Sequence, residues 1–267
     1  MRTTHRLLSA AATVALTAGV LTTTAVTTAT AAPAHRATAY DVTIKPSTTE
    51  LVSGKKITFK GQVSPKAAGQ TVVLQQKIGD QGWKPTGTAT LNKKGRYEVS
   101  DKPSTMLERK YRVVKAASGQ HRKGVSKAVA VTIYKWHKLF DLSVRDQSFM
   151  YKQRTLSIAT VEFPKSFEGG YYSAQDPTGF IDFNLARECI TLKATYGMSD
   201  DADTDASAKI DVVGDGTELY TGTFALLESQ KKTTDIHGVF RLAFQYTALG
   251  DAQARPAVGS PEVLCSF

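Results

Sequence analysis

The chain has 267 residues, a formal net charge of +10 and two cysteines. That length exceeds what one small β-sandwich holds and suits two domains of about 100 to 130 residues, while two cysteines outside any CxxC pattern argue against thiol redox chemistry and against a cysteine zinc site. The charge is divided: 20 Lys and Arg against 6 Asp and Glu from Tyr40 to Lys138 leave +14, and 11 against 18 from Leu139 to Phe267 leave −7, so partners must be argued half by half.

Residues 1–31 read as a secretory signal peptide. Arg2 and Arg6 form a basic head, Leu7 to Val20 is an apolar run loosened by Ser and Thr, and Ala29-Thr30-Ala31 is a small-x-small cleavage site. The run falls short of the roughly 20 apolar residues that a membrane helix needs, and no later segment approaches that length. The expectation is a secreted protein, extracellular or loosely cell-wall associated, without a membrane span. Residues 32–39 form a small-residue tail.

Short alternating runs follow: Val42/Ile44, Ile57/Phe59/Gly61/Val63, Val72/Leu74/Gln76, the stretch around Trp83, Thr86 to Leu91, Tyr97/Val99, Tyr111/Val113 and Val129/Val131/Ile133. Turn signals such as Ser53-Gly54, Ser64-Pro65, Gly79-Asp80 and Lys94-Gly95 separate them. Strands eight to twelve residues apart, with no helical period, predict an antiparallel β-sandwich over residues 40–134. Gly61-Gln62-Val63-Ser64-Pro65, Gly69 to Gln75, Trp83, Gly95-Arg96-Tyr97 and Tyr111-Arg112-Val113 resemble the immunoglobulin-like modules of exported actinobacterial proteins. The resemblance implies a spacer or presenting module; the stretch departs from antibody-type domains in having no cysteine pair. Trp83 is expected in the core.

The basic residues of this half, Lys55-Lys56, Lys93-Lys94, Arg109-Lys110 and Arg122-Lys123, fall on turns and strand ends without an aromatic stacking platform or a nucleic-acid-binding motif. Nucleic acid is therefore not an expected partner. For an exported protein the expected anionic partner is the envelope itself, a cell-wall polysaccharide or teichoic acid attracted over a screened, long range.

Residues 135–138 are expected to link the domains, with Trp136 covering the seam. Strand-like runs continue through residues 139–267 at Leu142 to Val144, Leu156 to Phe163, Gly179 to Leu185, Cys189 to Met198, Lys232 to Ile236, Val239 to Thr247 and Pro261 to Phe267. Ile190, Leu192, Ala194 and Tyr196 alternate with Thr191, Lys193 and Thr195, the period of two of a half-buried strand. Asp215-Gly216 supplies a hairpin turn, and Phe240, Leu242, Phe244 and Tyr246 predict an inward face. In an oxidising milieu Cys189 and Cys265 are expected to pair, joining the first of these core strands to the last. Closing a loop of roughly 77 residues would contribute about 4 to 5 kcal/mol by the chain-entropy argument.

Ile181 to Cys189, Ala194 to Asp200, Val213 to Tyr220, Asp235 to Leu242 and Pro261 to Cys265, in that order, resemble the NPCBM carbohydrate-binding module, a galactose-binding-like jelly-roll. Together the two resemblances imply an all-β chain of two antiparallel sandwiches, immunoglobulin-like and then galactose-binding-like, and the second implies glycan binding. A sugar site pairs an aromatic face with directed polar groups; the loop residues Tyr171, Tyr172 and Asp176 are the candidates. Asp200, Asp201, Asp203 and Asp205 could hold calcium, the one cofactor considered. Ala206 and Val212, however, stand where an EF-hand needs glycine and glutamate, so a solvated acidic loop is the other reading.

No HExxH, GxSxG or P-loop pattern occurs, and neither half has an insertion long enough for a catalytic cleft. The sequence points to a non-catalytic glycan-binding protein of the cell surface. An interaction protein whose jelly-roll no longer binds sugar, or a small glycan-active enzyme, are the alternatives.

Overall fold

The computed structural model describes residues 37–170 and 177–267. The expected signal peptide and residues 32–36 of the tail lie outside the described residues, as do Tyr171, Tyr172 and Asp176. The fold is all-β, as expected; a three-residue 3₁₀ turn, Leu139–Asp141, is the one helical element among the described residues.

The first half contains β1 (Asp41–Val42), β2 (Lys45–Pro46), β3 (Glu50–Val52), β4 (Ile57–Ser64), β5 (Thr71–Ile78), β6 (Lys84–Thr90), β7 (Arg96–Asp101), β8 (Arg109–Lys115), β9 (Gly124–Val125) and β10 (Val129–Lys138). The second half contains β11 (Asp146–Ser148), β12 (Met150–Ile158), β13 (Val161–Gly169), β14 (Thr178–Asn184), β15 (Cys189–Met198), β16 (Ser207–Gly214), β17 (Thr217–Ala225), β18 (Ser229–Asp235), β19 (Arg241–Leu249) and β20 (Pro256–Cys265).

Alternation along these strands builds two separate cores. In the first, Ile57, Phe59 and Val63 of β4 and Tyr97 and Val99 of β7 meet Val72 and Leu74 of β5, Tyr111 and Val113 of β8, and Val131 and Ile133 of β10. In the second, Ile181 and Phe183 of β14, Ile210 and Val212 of β16 and Leu242, Phe244 and Tyr246 of β19 meet Phe167 of β13, Leu192 and Tyr196 of β15, and Val258 and Val263 of β20. Each fully buried aromatic or aliphatic side chain contributes about 1.5–3 kcal/mol. Trp83, expected inside, belongs to neither core: it is half-buried, and the Arg112 guanidinium lies 4.1 Å from its ring centroid. Arg109, expected on the surface, is buried, where it donates to Gln76 and Thr105.

The expected linker at 135–138 is strand. β10 pairs with β8 through Val129–Val131, runs parallel to β3 through Thr132–Tyr134, and then pairs with β20 through Lys135–Lys138. One sheet therefore continues from the first core to the second, because satisfying the backbone of residues 135–138 in a ladder is better than leaving it to a loop. The second half's other sheet, in the order β11-β14-β19-β16-β17, stands alone. Cys189 and Cys265 face each other across β15 and β20 and form the expected disulfide.

Three expectations about local structure are corrected. Leu142–Val144 is not strand; Leu142 and Val144 pack irregularly against the second core. Ile190 is only half-buried, because a bulge between Cys189 and Thr191 shifts the alternation and gives the inward place to Cys189. Leu156 to Phe163, read as one strand, is a hairpin of β12 and β13, which turns at Ala159 and Thr160.

Candidate functional site

The outward face of the β11-β14-β19-β16-β17 sheet carries the polar residues that the core leaves behind. On β14, Ile181 and Phe183 point inward, which places Asp182 on the outer face; on β19 the same parity turns Arg241, Ala243 and Gln245 outward, Arg241 and Gln245 exposed and Ala243 half-buried. Asp182 lies across from Ala243, which lies across from Val213. A cleft of about 660 Å³ is lined here by Asp182, Arg187, Asp215, Phe240, Arg241 and Gln245, among others. Gln245 also walls a second cleft of about 420 Å³, which extends toward Phe149, Thr178 and Asp211.

Asp182 anchors the first cleft although it is only 4% exposed. Arg145 donates Nε to Oδ1 at 2.8 Å and Nη2 to Oδ2 at 2.6 Å, and Arg241 donates Nη2 to Oδ2 at 2.8 Å. Burial alone would push the carboxyl up, but the hydrogen bonds and charges of Arg145 and Arg241 outweigh it and hold the group below the usual carboxylate range. Beside it the Asp215 carboxylate, in the hairpin turn between β16 and β17, accepts the amides of Phe240 at 3.0 Å and Arg241 at 2.8 Å. Those two amide bonds hold its pKa down as well.

Phe240 corrects a further expectation, that of an inward face shared with Leu242, Phe244 and Tyr246. β19 begins at Arg241, after a turn in which the Val239 amide donates to Ile236 O and the Leu185 amide donates to Phe240 O. Val239 takes the core place, and Phe240 is left 37% exposed with the Arg187 guanidinium 5.3 Å from its ring. An exposed ring, two carboxylates, three guanidinium groups and the exposed Gln245 amide, which has no hydrogen-bond partner among the described residues, thus share one open face. Such a set can cover the apolar side of a sugar ring while directing hydrogen bonds to its hydroxyls.

Residues 136–257 match the family model of the NPCBM/NEW2 domain. Every residue named in the two clefts falls inside that span, and the match supports carbohydrate binding by this half of the chain. No curated relative matches the sequence. Among solved structures, CBM51 from Clostridium perfringens GH95, in complex with methyl-galactose, is 16% identical with a TM-score of 0.40, covering 48% of this chain and 99% of that one. CBM51-2 in complex with GlcNAc and INT domains from Clostridium perfringens ZmpB is 12% identical with a TM-score of 0.41, covering 83% of this chain but 48% of that one. CBM36 in complex with calcium and xylotriose is 12% identical with a TM-score of 0.30, covering 48% of this chain and 98% of that one.

The acidic run acts on the backbone. Asp200 Oδ2 accepts the Thr160 amide at 2.9 Å, tying down the β12–β13 turn, and Asp203 Oδ2 accepts the Gln253 amide at 2.9 Å. Asp201 and Asp205 are exposed. Among the described residues no three His, Cys, Asp or Glu side chains converge on a metal-sized site. No helix among them is long and apolar enough to cross a membrane.

Asp182, Arg145, Arg241, Phe240, Arg187 and Gln245 were not singled out from the sequence as site residues. The usable signal was parity: Asp182 interrupts an apolar strand between two core residues, and a carboxylate on such a strand needs a cationic partner.

Proposed function

We propose that this chain is an exported, non-catalytic glycan-binding protein whose saccharide site is the outward face of the β11-β14-β19-β16-β17 sheet. The observation that carries the reading is the coincidence of the NPCBM/NEW2 match with a polar cleft that has an exposed aromatic ring at its edge. One fact favours binding over hydrolysis. Glycoside hydrolysis needs one carboxyl that keeps its proton near neutral pH, yet both carboxyls of the cleft, Asp182 and Asp215, are pushed down rather than up. The disulfide and the leader-like N-terminus favour an oxidising, extracytoplasmic location. The basic first half adds attraction toward anionic envelope polymers, a teichoic acid or acidic cell-wall polysaccharide, which salt screens.

A glycan panel probed with the full chain tests this. Saturable retention of at least one neutral glycan is expected, weakened about tenfold in Phe240→Ala and in Gln245→Ala, roughly the 1.4 kcal/mol of one lost stacking or hydrogen-bonding contact, with the melting temperature held. Silence across the panel, equal binding by both variants, or sugar released from the bound glycans overturns it.

A further inference from the structure

The second sandwich has another outward face, that of the sheet containing β20, β15 and β18, and it is charged differently. A groove of about 430 Å³ is lined there by Lys138, Lys193, Lys231, Glu262, Phe163 and Thr195, among others. Its residues come from fixed register positions. Lys138 on β10 faces Glu262 on β20, Glu262 faces Lys193 on β15, and Thr195 faces both Lys231 on β18 and Gly259 on β20. With neighbouring strands about 4.8 Å apart, the backbones of Lys138 and Lys193 stand about 10 Å apart with Glu262 between them.

Three lysines against one carboxylate make this groove basic, although residues 139–267, which supply every lining residue named here except Lys138, carry a net −7. Among the described residues none of the three forms an ion pair. Lys193 is held in place by Trp136 instead, its ammonium 3.7 Å from the ring centroid, which fixes where that charge stands. Part of the lining is apolar: the Phe163 ring packs over Gly259, so closely that a Cβ there would stand 2.7 Å from it.

We propose that this groove is a second saccharide site, separate from the cleft at Asp182, and that its ligand is an acidic glycan whose units carry carboxylate or phosphate. Lysines without a carboxylate partner supply the attraction, the Phe163 ring an apolar surface, and Thr195 and Glu262 partners for hydroxyls. Glu262 sets the class of polyanion. A nucleic acid, with one charge per ~1.7 Å of duplex, would lay phosphates against that carboxylate; a sparsely charged sugar chain can place a hydroxyl there as a donor.

The test uses the full chain, with oligogalacturonate as the carboxylate probe, a glycosyl-phosphate oligomer as the phosphate probe, a neutral galactan, and a short duplex oligonucleotide. One acidic saccharide is expected to bind at low salt, and whichever does names the source of the charge. Binding should weaken about tenfold in Lys193→Ala/Lys231→Ala, with the slope of log affinity on log salt falling by about 1 to 2, and tighten about threefold in Glu262→Gln. Lys55→Ala/Lys56→Ala in the first half should change the affinity less than twofold, and the neutral galactan should not respond to the groove variants. The inference is overturned if neither acidic saccharide binds, if the loss follows the Lys55/Lys56 variant, if Glu262→Gln weakens binding, or if the oligonucleotide binds as tightly as the saccharide. None of these outcomes touches the cleft, whose own readout is the response to Phe240→Ala.

Discussion

Asp182 joins three strands through its two oxygens: Arg145 beside β11, its own β14 and Arg241 of β19 converge on one carboxylate. Because the carboxylate is buried while the arginine side chains are 40% and 46% exposed, removing it leaves cations that water can still solvate. Asp182→Ala should therefore cost only about 1–2 kcal/mol, less than breaking a fully buried pair. The pH dependence has a definite sign. A carboxyl held below its ordinary value contributes stability that is present above the unfolded value near 4 and is lost as pH falls through the folded one. Melting temperatures of wild type and Asp182→Asn should differ most at neutral pH and converge below about pH 4; a gap that stays constant down to pH 2.5 would mean that the charge at this position contributes nothing.

At the scale of elements, the β12–β13 hairpin is the part that sequence concealed. Its two turn residues, Ala159 and Thr160, have φ of 50° and 64°, the left-handed conformation that such tight hairpins demand. Asn or Gly would have announced it; Ala-Thr announces nothing, and a β-branched residue there is strained. The Asp200 carboxylate compensates by taking the Thr160 amide. Thr160→Gly keeps that amide and relieves the strain, at the cost of a more flexible unfolded chain. It should raise the stability by about 0.5–1 kcal/mol, read as a higher urea midpoint at unchanged m value; an unchanged or lower midpoint would refute the assignment of strain to this turn. Where the turn does carry its chemical signature, sequence and structure agree: Asp215-Gly216, with φ of 49° and 84°, joins β16 to β17. The same contrast governs the site. Leu242, Phe244 and Tyr246 were legible as an inward face because alternation sees parity, but it cannot see where a strand begins, and Phe240 passed for a core residue. Nor can alternation see that a bulge moves Ile190 aside for Cys189, or that Asp182 would find Arg145, 37 residues away, as its partner.

For the whole molecule the question is how the two sandwiches are held. The β10 ladder fixes them along one line, running from β8 to β20 without a break. A side-chain contact adds a second point: His237, in the turn before β19, places Nδ1 2.6 Å from Asp235 Oδ1 and Nε2 3.6 Å from Glu50 Oε2, and Glu50 opens β3 of the first sandwich. The hydrogen bond to Asp235 raises the His237 pKa, the charges of Asp235 and Glu50 add to it, and partial desolvation opposes it. An imidazole whose folded value is raised contributes stability that is complete below the unfolded value near 6.5 and is lost as pH rises through the folded one. The cross-sandwich contact should thus be firmer at pH 6 than at pH 8, and weaker in high salt because both partners are about half exposed. An NMR titration reads this directly. The His237 ring should titrate above 6.5, Asp235→Asn should lower its midpoint most, and Glu50→Gln should lower it by a smaller amount. If Glu50→Gln leaves the midpoint where it was, the two sandwiches do not meet at this point in solution, and the shared strand alone holds them together.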